Sequence, residues 1–167
     1  MQTLSSDYVT HAEIWLFTTT LFYFLMNGAQ LFETMVLIPK WTANPPESLQ
    51  MFKGRYAADL KTFWIVTHAL HEVTFMAAIG FCWQIGGIRN ALLILFVIHF
   101  AVRVWTIGYF APNIIEFQKI VNGEAPQGDN LLSRTQRWKH LNYMRVGIFV
   151  AVSLELLALC IQLMNMR

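Results

Sequence analysis

Four long apolar stretches constrain this chain more than any other feature. They run from about Ala12 to Ile38, Leu60 to Ile85, Ala91 to Phe110 and Tyr143 to Met164. A helix needs about 20 apolar residues to cross the hydrocarbon of a bilayer. Four such spans and their connections use all 167 residues. The expected fold is all-α: an integral membrane, antiparallel four-helix bundle forming a single domain over residues 1–167, with two longer connections on one side. Charged residues make up 13% of the chain and mean hydropathy is +0.44. That is about half the charge of a soluble domain, too little to solvate a globule of this size. A net charge of +2 without a basic run excludes a nucleic-acid partner. The first ten residues, MQTLSSDYVT, lack the positive charges of a secretory signal, so the first stretch reads as a retained span.

The connections carry their own signals. Pro39 is expected to end the first span, and Pro112 the third. Asp59 is the expected N-cap of the second span, which Gly86 and Gly87 close. The tight turn GGIRN makes spans two and three antiparallel neighbours. In PPESLQMF, apolar Leu49, Met51 and Phe52 suggest a short interfacial helix. The segment NIIEFQKIVNGEAPQGDNLL reads as a long loop with a short surface helix, and the fourth helix begins near Ser133, ahead of its apolar part. Lys40, Lys53, Arg55 and Lys61 lie in the first long connection, and Lys119, Arg134, Arg137 and Lys139 in the second. Only Arg89 and Arg167 lie on the other side. Both long connections are therefore expected in the cytoplasm and both termini on the non-cytoplasmic side.

The spans contain ionisable residues: Glu33, His68, His71, Glu72, His99, Arg103 and Glu155. Insertion scales charge about 2.5–3.5 kcal/mol for such groups at a helix centre, so each is expected to find a partner or face the bundle interior. His68 and Glu72, and His99 and Arg103, are four residues apart, which puts each pair on one helix face. At about 1.5 Å per residue the whole set falls in one layer, roughly 8–20 Å from the cytoplasmic ends of the spans. One reading makes His71, Glu72, His99 and Glu155 ligands of Fe or Zn, with His68, His71, His99 and Arg103 as catalytic groups. Haem between His68 and His99, or no cofactor at all, are the alternatives. The other reading is structural: Arg103 pairs with Glu33 or Glu72, and the histidines hydrogen-bond across helices. HALHE lacks the glutamate placement of a zinc-protease helix, and the glutamate-x-x-histidine pairs of di-iron bundles are absent.

Outside this layer, His11 and His140 are expected at the interfaces. Trp15, Trp41, Trp83 and Trp138 are expected in an aromatic belt. Cys82 and Cys160 read as apolar-site thiols, with a disulfide as the alternative.

Two stretches carry a resemblance. FETMVLIPKWTANPPESLQMF has a glutamate ahead of a proline-tryptophan exit. RTQRWKHLNYMRVGIFVAVSLELLAL has Trp138, Asn142 and Arg145 ahead of an apolar run. Both resemble the anthrone oxygenase-like membrane family, which is largely uncharacterised. The resemblance implies a four-helix membrane bundle and, in the characterised branch, oxygenation of polycyclic phenolic anthrones. That chemistry can run without a cofactor: a base removes an acidic C–H proton and the carbanion reacts with dioxygen. It would make His68, His71 or His99 the base and Arg103 or Arg145 the group that stabilises the anion.

The leading expectation is therefore a small membrane-embedded, oxygenase-like oxidoreductase acting on a hydrophobic or aromatic small molecule. Two alternatives stand beside it. One is a non-catalytic subunit or scaffold that contacts other membrane proteins or copies of itself. The other is a component of a proton or ion pathway.

Overall fold

The computed structural model describes residues 5–55, 57 and 60–166. Asp59 and Arg167 lie outside them. Among the described residues the regular elements are all helices, without a strand. Helix α1 spans Ser6–Trp41, a short 3₁₀ helix covers Glu47–Phe52, and α2 spans Lys61–Phe81. Helix α3 spans Gly86–Asn122 and α4 spans Leu131–Met164. Three of them, α1, α3 and α4, are long and apolar enough to cross a membrane.

Exposure supports a lipid environment. Among the side chains hidden from the surface are Thr19, Tyr23, Asn27, His71, Thr74 and His99. Among those on the surface are Phe17, Leu25, Ile65, Val97 and Ile107, the last 70% exposed. Polar groups inside and large apolar groups outside reverse the pattern of a soluble domain. The hydrophobic effect would not hold that arrangement in water, but in lipid it satisfies both surfaces.

Two expected boundaries are corrected. Neither Pro39 nor Pro112 ends its helix: α1 continues to Trp41 and α3 to Asn122. A proline deprives the helix of one N–H and its ring meets the carbonyl four residues earlier. Here each proline follows a five-residue π turn, Glu33–Leu37 before Pro39 and Thr106–Phe110 before Pro112. The wider turn accommodates the ring, and the helix resumes. Of the segment expected as a long loop with a short surface helix, residues 113–122 are thus the last part of α3, and residues 123–130 connect it to α4. Gly123 ends α3 in the left-handed conformation, φ 78°. Its N–H reaches the Ile120 carbonyl at 3.1 Å, and the Glu124 N–H reaches that of Lys119 at 2.8 Å, a Schellman closure that favours glycine. At the other turn, α2 ends at Phe81, and Gly86 and Gly87 open α3 instead of closing α2.

The helical segments group into two compact units. The first holds Met1–Asn27, Phe63–Phe100 and Phe149–Arg167; the second holds Gly28–Thr62 and Ala101–Ile148. Within the first, Leu16, Tyr23, Phe75, Leu92, Phe149 and Leu156 are fully enclosed. Thr19 Oγ1 donates to the Thr74 carbonyl at 2.7 Å, and Asn27 Nδ2 to that of Phe149 at 3.1 Å.

Within the second unit, Ile38, Trp41, Leu49, Phe110, Phe117 and Trp138 form one core cluster. Trp41 and Trp138 lie 5.0 Å apart, edge to face. Both are 3% exposed, so neither belongs to an interfacial belt. The expectation failed because tryptophan suits an interface and a core equally well. Here Leu49, Met51 and Phe52 of the 3₁₀ helix pack over the rings. Trp83 is exposed, with the Arg89 guanidinium 5.3 Å from its ring.

Candidate functional site

The first unit brings together residues from three helices. Tyr23 comes from α1, His71 and Glu72 from α2, and His99 from α3. His99 Nε2 lies 2.8 Å from Glu72 Oε1, and its Nδ1 lies 2.9 Å from the Tyr23 hydroxyl. An ionised carboxylate can only accept, so Nε2 carries a proton and donates it to Glu72. In the neutral ring Nδ1 then accepts from the Tyr23 O–H. With Glu72 ionised and His99 neutral, the three groups form one directed chain: Tyr23 O–H to His99, His99 N–H to Glu72.

The surroundings hold this chain in place. Tyr23, His71 and His99 are fully buried, while the Glu72 side chain is 25% exposed. Phe75, from the next turn of α2, lies edge-on to the His71 ring at 5.7 Å and 5.9 Å from His99. Phe149 closes the other side at 5.6 Å. The His71 ring sits 4.5 Å from Tyr23 and 4.9 Å from His99. The short His71–His99 separation follows from their similar depth on neighbouring helices. Glu72 is thus the one partly open end of an otherwise enclosed polar cluster.

The other expected residues fall elsewhere. His68 is half-buried and stacks on Trp64 at 5.3 Å. Glu155 is exposed, because the buried face of α4 follows Phe149, Val152, Leu156, Leu159 and Leu163 and position 155 falls beside it. Glu33 and Arg103 belong to the second unit. His11 and His140 are exposed, and His140 Nδ1 donates to the Gln136 carbonyl at 2.7 Å. Cys82 and Cys160 are free and buried. Cys160 Sγ lies 3.2 Å from Thr20 Oγ1.

The proposed ligand set does not assemble. Glu155 points away from the histidines' unit core, and both nitrogens of His99 already have partners. Among the described residues, no group of three or more His, Cys, Asp and Glu side chains is arranged to hold a metal ion. His99 likewise has no nitrogen left for a haem iron.

Tyr23 is the participant that the sequence reading did not single out. A phenol midway along an apolar span needs a partner for its hydroxyl, and that requirement was the available signal.

Comparisons with protein families, curated proteins and solved structures find no match for this chain. The functional reading therefore rests on the residues themselves.

Proposed function

We propose that this chain is a small membrane-embedded oxidoreductase of the oxygenase type, with Glu72, His99 and Tyr23 as its acid–base element. The observation that carries this reading is the double engagement of His99 behind a partly open carboxylate. An imidazole held at both nitrogens does not itself meet a substrate. It orients the carboxylate in front of it and spreads charge to the phenol behind. Glu72 is then the base, and His99 and Tyr23 are positioning residues. Glu72 thereby takes the role that the family resemblance would give to His68, His71 or His99.

The chemistry balances with dioxygen as the oxidant. For a substrate carrying an acidic CH₂ beside an aromatic ketone system, Glu72 removes one proton. The carbanion adds dioxygen to form a peroxide, which takes that proton back as a hydroperoxide. Loss of the second C–H proton with cleavage of the O–O bond gives a new carbonyl and water. The anthrone oxygenase-like resemblance suggests a polycyclic phenol of this kind.

The reading takes α2 as a fourth span in an antiparallel bundle. At about 1.5 Å per residue its 21 residues reach roughly the hydrocarbon thickness. Phe63, Ile65, Val66, Val73 and Met76 give it an apolar outer face. The lysine and arginine bias puts both long connections in the cytoplasm and both termini outside. Cysteines introduced at Asn122 and Gly87 test this by labelling in intact cells. A Gly87 position reached only from the cytoplasm reverses the orientation.

Oxygen uptake by the purified protein with an anthrone-type substrate tests the chemistry. Glu72→Gln is expected to lower the rate by about 10²–10⁴-fold, and His140→Ala to leave it unchanged. A folded Glu72→Gln protein with the full rate, or no substrate-dependent uptake, defeats the reading.

A second reading, a proton relay, is favoured by the enclosure of His71, His99 and Tyr23 around a single open carboxylate. Proton flux into vesicles under an imposed pH gradient, abolished by His99→Leu, would select it over the enzyme.

A further inference from the structure

The second unit contains a polar cluster that the proposed chemistry does not use. The π turns of α1 and α3 converge there on one stretch of α4. Thr34, in the first π turn, accepts from Asn142 Nδ2 at 3.0 Å. Asn142 Oδ1 in turn accepts from Arg145 Nη2 at 2.6 Å. Thr106, which opens the second π turn, has its own proton committed to the Val102 carbonyl at 2.8 Å. Its oxygen therefore faces Arg145 Nη1 as an acceptor, at 3.5 Å. The Arg145 guanidinium lies 4.4 Å from the centre of the Phe110 ring, at the end of that turn. π turns inside α-helices recur at functional sites, and here two of them shape the bed of one arginine.

Glu33 and Arg103 both act electrostatically on Arg145, with opposite sign. Arg145 Nε is buried and has no hydrogen-bond partner among the described residues. The wider unit is rich in positive charge. Its segments contain ten lysines and arginines against six aspartates and glutamates, whereas the first unit has two against four.

We infer that this cluster binds a phosphate group, with Arg145 as the principal contact. A guanidinium is a planar fork of donors that matches phosphate oxygens. Asn142 and Phe110 fix the plane of that fork, so little side-chain freedom is lost on binding. Basic pockets among membrane helices bind lipid phosphates on the same physical grounds. The phosphate is either a lipid headgroup or a free anion. The inference does not depend on the acid–base chemistry of the first unit.

Thermal unfolding of the full chain in neutral detergent, followed by tryptophan fluorescence, tests it. The titrants are inorganic phosphate, short-chain phosphatidic acid, diacylglycerol of the same chain length, and chloride at matched ionic strength. We expect a saturable rise in Tm with phosphatidic acid and none with diacylglycerol or chloride. An equal rise with inorganic phosphate assigns the site to a free anion; a rise with phosphatidic acid alone assigns it to a headgroup. Arg145→Lys keeps the charge but loses the fork and the stacking, and is expected to weaken binding about tenfold or more. Arg145→Gln is expected to abolish it. No saturable rise with either phosphate compound overturns the inference. So does a rise that diacylglycerol or chloride reproduces, or one that both variants retain at wild-type affinity.

Discussion

In the buried polar cluster of the first unit, side chains bind one another: Tyr23 to His99 and His99 to Glu72. Around the aromatic core of the second, polar side chains bind backbone. Trp138 Nε1 donates to the Phe110 carbonyl at 3.2 Å, and Gln136 Nε2 to that of Thr42 at 2.8 Å. Ser48 Oγ donates to the Trp41 carbonyl at 2.6 Å. A backbone carbonyl is fixed by its helix and cannot be lost to mutation. A side-chain chain depends on every member, so removing one strands its neighbours. The difference teaches where this protein is fragile: the enclosed chain of the first unit, more than the aromatic core of the second.

The largest effect is expected at the middle of the chain. His99→Leu leaves the Tyr23 hydroxyl and the Glu72 carboxylate without their shared partner, and is expected to cost about 3–5 kcal/mol. Unfolding in detergent with a graded denaturant reads this directly. A loss under about 1 kcal/mol would remove the contrast between the units, because it is the size expected of an ordinary net hydrogen bond. Trp138→Phe, which loses the bond to Phe110 and part of the contact with Trp41, is expected to cost about 1–3 kcal/mol. A larger loss than that of His99→Leu would reverse the ranking. Tyr23→Phe removes only the terminal donor, at an expected cost of about 1–2 kcal/mol. Its combination with His99→Leu should cost less than the two losses added, since both break one contact. The smallest effect belongs to Arg134, whose Nη1 donates to Glu116 Oε1 at 2.9 Å on the exposed surface. Arg134→Gln is expected to cost under about 1 kcal/mol, and the loss should vanish in high salt.

The helical class was legible because long apolar runs leave a chain few alternatives, and the proximity of His71 and His99 because depth follows from counting residues. What failed was azimuth. Counting residues gives Glu155 the same depth as His99, yet depth does not say which way a residue faces; only the stripe of Val152, Leu156, Leu159 and Leu163 does. The prolines misled for a related reason. The rule that proline ends a helix considers one residue at a time, whereas Glu33–Leu37 and Thr106–Phe110 adjust a whole turn ahead of it. Trp41 and Trp138 were misplaced because their partners come from distant segments, Leu49 and Phe117 among them.

The π turns also set a rule for how this chain can vary in length. Each holds one residue more than an α-helical turn would, so it behaves as an insertion already absorbed. Removing a single residue from Thr106–Phe110 would return that turn to α geometry and leave the helix beyond it facing nearly as it does now, since the wide turn sweeps about the same angle with one residue more. Phe117, Ile120 and Val121, now packed inside, would stay there, whereas the same deletion in an ordinary turn of α3 would rotate them by about 100°, the angle of one residue at 3.6 per turn. Chains descended from the same ancestor are therefore expected to gain or lose a residue of α3 at this turn and to keep the apolar face beyond it.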